Sequence, residues 1–221
     1  RKIDSQDEDI GSRAVIRNAR ELVWYPSEVD TSIRTGWFYH PEEDTAVRTS
    51  DELLDIYLDA VGANASLLLN IPPDTHGRIA APDCASLAEL GAKIRQIFAS
   101  NVTEKAAITA DSAIAQHPIT QAVDGMANTY WQAAYGQEFD TITLKFPKPQ
   151  KVSCVVLGEH LPTGQRIESG EIWADGSKVS EFTVVGHKRI CRFAPVEVLT
   201  LTIKITASRT EPTLRLLAVY Q

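Results

Sequence analysis

The sequence predicts an α/β unit followed by an all-β unit, and three observations carry that expectation. Up to about residue 100, amphipathic helical runs alternate with short apolar strand runs. Beyond that point, short strand-like runs succeed one another between turn clusters, without helical periodicity. Charge divides at the same place: residues 1–100 carry 10 basic and 17 acidic side chains, whereas residues 101–221 carry 12 of each. Two domains, 1–100 and 101–221, are therefore expected to meet near Ser100-Asn101.

In the first unit, Ser12 precedes a run to Val23 whose Val15, Ile16, Ala19, Leu22 and Val23 recur at helical spacing, predicting a short capped helix. From Trp24 to Arg34 the pattern alternates in the strand manner after Pro26. Thr49-Ser50-Asp51-Glu52 is a capping box that opens an amphipathic helix through Val61, stopped by Gly62. The continuous apolar run Ser66–Ile71, closed by Pro72-Pro73, reads as a strand buried on both faces. A last helix is expected from about Pro82 to Phe98. Two or three such units form either a small α/β domain or the end of a larger one, because a closed eight-unit barrel takes about 250 residues.

The second unit has strand-like runs at 141–146, broken by Pro147-Lys148-Pro149, then at 152–157, 171–174, 182–185, 189–193, 199–205 and 214–220. Regularly spaced short strands predict a β-sandwich. A formal charge of −7 with 43% apolar residues is ordinary globular chemistry and argues against nucleic acid as a partner. No apolar run approaches the roughly 20 residues of a membrane-spanning helix. The three cysteines, Cys84, Cys154 and Cys191, have no CxxC spacing and read as buried thiols, with a Cys154–Cys191 bridge as the alternative. No metal-binding or phosphate-loop pattern occurs, so no cofactor is expected.

The segment Trp24-Tyr25-Pro26-Ser27-Glu28-Val29-Asp30-Thr31-Ser32-Ile33-Arg34-Thr35-Gly36-Trp37-Phe38-Tyr39-His40, then Glu43-Asp44, then Val61 to Asp74, resembles the C-terminal part of the catalytic barrel of bacterial α-L-fucosidases of glycoside hydrolase family twenty-nine. The resemblance covers about residues 9–100. It implies the C-terminal βα units of a TIM-type barrel, followed by a discoidin-like, galactose-binding-like jelly-roll β-sandwich. Ala122-Val123-Asp124-Gly125, Thr129-Tyr130-Trp131-Gln132, Glu159-His160 and Gly164-Gln165-Arg166 resemble that jelly roll. In such a sandwich Trp131 or Tyr135 would be a sugar-stacking platform, although packing on the barrel as a structural companion is the preferred reading.

The resemblance implies a retaining exo-α-L-fucosidase acting on fucosylated oligosaccharides or glycoconjugates. It places the nucleophilic Asp on an earlier strand, in the N-terminal remainder of the same enzyme. The acid/base Glu is implied within residues 7–14, where position 14 carries Ala14; Glu8 is the alternative acid/base. Trp37 is implied as the aromatic wall against the sugar, with Glu28, Arg34 and His40 as supporting residues; a buried Glu28–Arg34 pair is expected. Asn70 with Pro72-Pro73-Asp74 is read as capping its strand and shaping the next loop. The substrate class implies a periplasmic or secreted setting. A non-catalytic carbohydrate-binding or structural β-sandwich protein is the alternative from another class.

Overall fold

A computed structural model describes residues 13–21 and 26–221. The first helix, α1 (Arg13–Ile16), is one turn long, and Arg17–Glu21 follow without helical structure. The expected helix to Val23 is therefore cut short. Residues 17–21 are all exposed, Ala19 included, so among the described residues this stretch has no packed face to stabilise further turns. Instead the Arg13 guanidinium reaches across to Glu168 in the β-rich half, donating from Nη2 at 2.6 Å and from Nε at 2.9 Å. Ser12, Leu22, Val23, Trp24 and Tyr25 lie outside the described residues.

Strand β1 (Glu28–Ser32) pairs in parallel with β2 (Ser66–Asn70), with Ser32 opposite Asn70 at their carboxyl ends. Between them lies α2 (Ser50–Val61), whose N-terminus carries both halves of the Thr49/Glu52 capping box. Gly62 ends it at a close approach, since a Cβ there would sit 2.2 Å from the Leu58 carbonyl oxygen and 2.9 Å from Ile190. Helix α3 (Ala81–Ile97) packs beside α2. Ile33, Leu53, Leu54 and Leu90 form the buried centre of this cluster, with Leu69 and Ile71 against it. The expected burial of β2 on both faces is met on one face among the described residues: Leu69 packs against the helices, while Leu68 is 53% exposed.

The β-rich half is antiparallel throughout. Strand β5 (Asp140–Gly158) pairs with β3 (Ala107–Ala110), with β8 (Arg189–Ser208) and with β10 (Leu216–Tyr220). On its other side β8 pairs with β6 (Ile167–Ala174), which forms a hairpin with β7 (Ser177–Phe182). Asp175 and Gly176, both at positive φ, make that turn. A short pair, β4 (Trp131–Gln132) and β9 (Thr213–Leu214), stands apart from the large sheet. The break expected at Pro147-Lys148-Pro149 is instead a register shift within β5, between Lys145 and Gln150, where proline's missing N–H interrupts no ladder bond. The runs at 189–193 and 199–205 merge into β8 likewise, and the run expected at 182–185 ends at Phe182.

The cysteine expectation changes as well. Cys154 and Cys191 are buried and free, on adjacent strands but on opposite faces of the sheet. Val155, not Cys154, is the cross-strand partner of Cys191, so no bridge can form between them. Burial pushes their thiols up to about 11 and about 12, respectively. Cys84 is exposed. The two halves meet where Phe98 packs edge-on against Tyr220 at 5.2 Å, and where the Ile190 amide donates to the Gly62 carbonyl at 3.0 Å. Among the described residues, no helix is long and apolar enough to cross a membrane.

Candidate functional site

The segment after β1 holds a polar lattice built by the ends of both parallel strands. Ser32 Oγ donates to the Gly36 carbonyl at 2.8 Å and accepts from the Arg34 amide at 3.3 Å. The side-chain amide of Asn70, from the end of β2, donates to Ser32 Oγ and to the Trp37 carbonyl, both at 3.0 Å. These bonds hold the turn that carries Trp37 over the carboxyl ends of both parallel strands. The Trp37 side chain is left free to meet solvent, and the residue is 51% exposed.

Arg34 fixes the remainder of the loop from below. Its side chain is fully buried and donates from Nε to Asp83 at 3.1 Å, from Nη2 to Asp44 at 2.7 Å and from Nη1 to the His40 carbonyl at 3.2 Å. The guanidinium also lies over the Tyr39 ring, 4.7 Å from its centroid. Burial works to lower the Arg34 pKa, but its hydrogen bonds to Asp44 and Asp83 outweigh it and leave it raised. Tyr39 is raised by its own burial and by the Asp44 carboxylate, which its hydroxyl reaches at 3.4 Å. A permanently charged clamp thus joins α3 to the Trp37 loop.

Of the expected site residues, Trp37, Arg34 and His40 come together in this loop, His40 through its backbone carbonyl while the residue is exposed. Glu28 does not join them. It starts β1 at the opposite end, exposed and paired in register with Ser66, so the expected Glu28–Arg34 pair is replaced by Arg34 with Asp83 and Asp44. Position 14 falls in the single turn of α1, and Glu8 lies outside the described residues. Sequence reasoning missed Ser32, Asp44 and Asp83, and gave Asn70 a capping role when its side chain holds the Trp37 loop. The one available signal was that Ser32 and Asn70 end strand runs, whereas Asp44 and Asp83 carry no local mark of their partner.

The rim of the β-rich half has a different character. Trp131 is completely buried, with its indole N–H donated to the Ser112 carbonyl, so it is a core residue and cannot be a sugar platform. Tyr135 is 77% exposed. Glu159 is buried and accepts three backbone N–H bonds, from Arg166, Ile167 and Gly186, at 2.7–2.9 Å. Burial raises its pKa against those bonds, and the carboxyl acts as an internal brace. Tyr130 is stacked between His117 and His160, with centroids 3.9 and 3.8 Å away. The Asp124 carboxylate is taken by the Met126 amide and the Thr129 hydroxyl. Among the described residues no group of three or more His, Cys, Asp or Glu side chains could hold a metal ion.

Comparison with known proteins bears on both halves. Residues 11–96 match the family model described as alpha-L-fucosidase. The chain is 32% identical over 209 residues to alpha-L-fucosidase 1 of Arabidopsis thaliana, covering 89% of this chain and 41% of that protein. Among solved structures, a candidate α-L-fucosidase of Bacteroides thetaiotaomicron superposes with a TM-score of 0.85 at 31% identity, covering 90% of this chain and 45% of that one. A family twenty-nine fucosidase of Ruminococcus gnavus, in complex with fucose, gives 0.82 at 27% identity over 90% of this chain and 41% of that one. The chain therefore spans less than half the length of each of these relatives.

Proposed function

Since residues 11–96 match the alpha-L-fucosidase family model and most of the chain is similar to such enzymes, we propose that it belongs to that family and is the C-terminal portion of a retaining exo-α-L-fucosidase of the bacterial kind, which releases terminal L-fucose from glycans. In this reading residues 1–100 are the last βα units of a TIM-type barrel and residues 101–221 its appended jelly-roll sandwich. One observation carries it. The half-exposed Trp37 is held at the carboxyl ends of two parallel strands, the end at which barrel enzymes build their sites. L-Fucose lacks a hydroxyl at C6, so its C5 methyl and neighbouring C–H groups present an apolar patch that an indole face can cover.

A retaining mechanism requires two carboxyl groups about 5 Å apart, one as nucleophile and one as acid/base. The nucleophile belongs to the N-terminal remainder of the enzyme. The acid/base falls at position 14 in this reading, and Ala14 can neither donate nor accept a proton. A periplasmic or secreted location goes with glycans as substrates.

The test uses the full-length protein. It should release fucose from an aryl α-L-fucoside with retention at the anomeric carbon, followed by proton NMR. Ala14→Glu should raise turnover of a natural fucoside by roughly 100- to 10,000-fold, the usual contribution of general acid catalysis. Failure to release fucose from either substrate sinks the enzymatic reading. Unchanged turnover by Ala14→Glu removes position 14 and leaves Glu8 to be tried.

A further inference from the structure

The bonds around Trp37 give Asn70 a role beyond ending its strand. We propose that Asn70 is a positioning residue for the sugar-facing aromatic wall, acting on Trp37 through its backbone carbonyl. The inference rests on reading Trp37 as that wall. Asn70 and Ser32 stand opposite each other as the last residues of the two parallel strands. The planar amide of Asn70 directs its Nδ2 donors to two acceptors at 3.0 Å, Ser32 Oγ and the Trp37 carbonyl. Ser32 in turn donates to the Gly36 carbonyl at 2.8 Å. Consecutive carbonyls of the turn are thereby tied to the strand ends, one from each strand.

Glycine does not explain this turn. Gly36 is outside the left-handed region, and a Cβ placed on it would meet no atom within 4 Å, so neither strain nor crowding shapes the backbone there. Hydrogen bonding does. Only a side chain that donates twice from one nitrogen, at this length, satisfies both acceptors. A carboxylate would set lone pairs against the Trp37 carbonyl, and a hydroxyl has one proton to give. With Trp37 51% exposed, the tether on its backbone is a constraint on where its indole face lies.

The experiment is a double-mutant cycle in the full-length enzyme. It reads kcat/KM on an aryl α-L-fucoside and on the matching α-L-galactoside, which adds only a hydroxyl at C6. Trp37→Ala should lower fucoside kcat/KM about 100-fold and erode the preference for the 6-deoxy sugar. Asn70→Ala should lower it about 10-fold, with the same loss of preference. In the Trp37→Ala background, Asn70→Ala should cost less than about 2-fold, because the wall it positions is gone. Multiplying effects, or an Asn70→Ala enzyme with intact sugar preference, would overturn the proposal while leaving the wall standing. Unchanged kinetics in Trp37→Ala would remove the wall itself, and the proposal with it. Should Asn70→Ala fail to fold, Asn70→Asp keeps the side chain's size, removes the donor to the Trp37 carbonyl and carries the same cycle.

Discussion

Removing the Asp83 carboxylate tests how the Trp37 loop is anchored. Arg34 and Asp83 are both fully buried, whereas the second partner of Arg34, the Asp44 side chain, is 37% exposed. Distance alone would rank Asp44 as the stronger partner, at 2.7 Å against 3.1 Å. Burial reverses the order. A bond that reaches solvent is screened and contributes about 0–1 kcal/mol, whereas orphaning one partner of a buried pair costs about 3–5 kcal/mol. Asp83→Ala leaves Arg34 with Asp44 still in place, so the low end applies and the loss should be about 3 kcal/mol. Asp44→Ala should cost under about 1 kcal/mol. Replacing both buried partners with apolar side chains, Arg34→Met with Asp83→Leu, should recover most of the loss, because neither group is then left unpaired. Urea denaturation followed by the helical far-UV circular dichroism signal reads all of these, and about 3 kcal/mol moves the midpoint by on the order of 2 M. An Asp44→Ala protein as destabilised as Asp83→Ala would refute the weighting by burial.

Two further outcomes follow from the β-rich half. Trp131→Ala should cost about 3–5 kcal/mol by opening a core cavity, and Tyr135→Ala no more than about 0.5 kcal/mol, since Tyr135 is 77% exposed; comparable losses in thermal unfolding would contradict the core assignment of Trp131. Glu211 accepts the Gly136 amide and the Thr210 hydroxyl, which hold its carboxyl down from 4.5 to about 2. A depressed folded-state pKa stabilises above the unfolded value and is lost as pH falls through the folded one. Stability should therefore drop between about pH 4.5 and pH 2, and Glu211→Gln should flatten that acid limb in a series of urea titrations; an unchanged limb would assign the loss to other carboxyls.

Much of the backbone plan was legible because local rules act over short spans. The Thr49/Glu52 box needs only four consecutive residues, and it opens α2 where expected. Errors arose where an element's fate depends on what covers it. The run Ser66–Ile71 reads as doubly buried because a one-dimensional apolar pattern cannot report which elements cover each face, and among the described residues Leu68 is 53% exposed. The run after Ser12 reads as a longer helix because its apolar spacing is correct, although residues 17–21 are exposed. At Pro147 and Pro149 the breaker rule misled for another reason. A register shift offers a place where a missing N–H does no harm, and such shifts leave no mark in the sequence.

The site was legible in its aromatic and hidden in its polar frame, and the reason is separation along the chain. Trp37 stands out through the motif around it, since by itself a large aromatic after a strand reads as core. The groups that hold its loop are remote: Asn70 lies 33 residues from Trp37, and Asp83 lies 49 residues from Arg34. Such pairs obey no period, so each of these side chains reads locally as a strand end, a turn or a first-turn helix carboxylate. Asp83 does sit in the first turn of α3, where an acid favours the helix dipole whatever else it does. That local sufficiency hid its partner. Burial is the discriminating fact, because a carboxylate with no exposed surface needs a cation beside it. Among the described residues Arg34 answers, and it stands on the loop that carries Trp37.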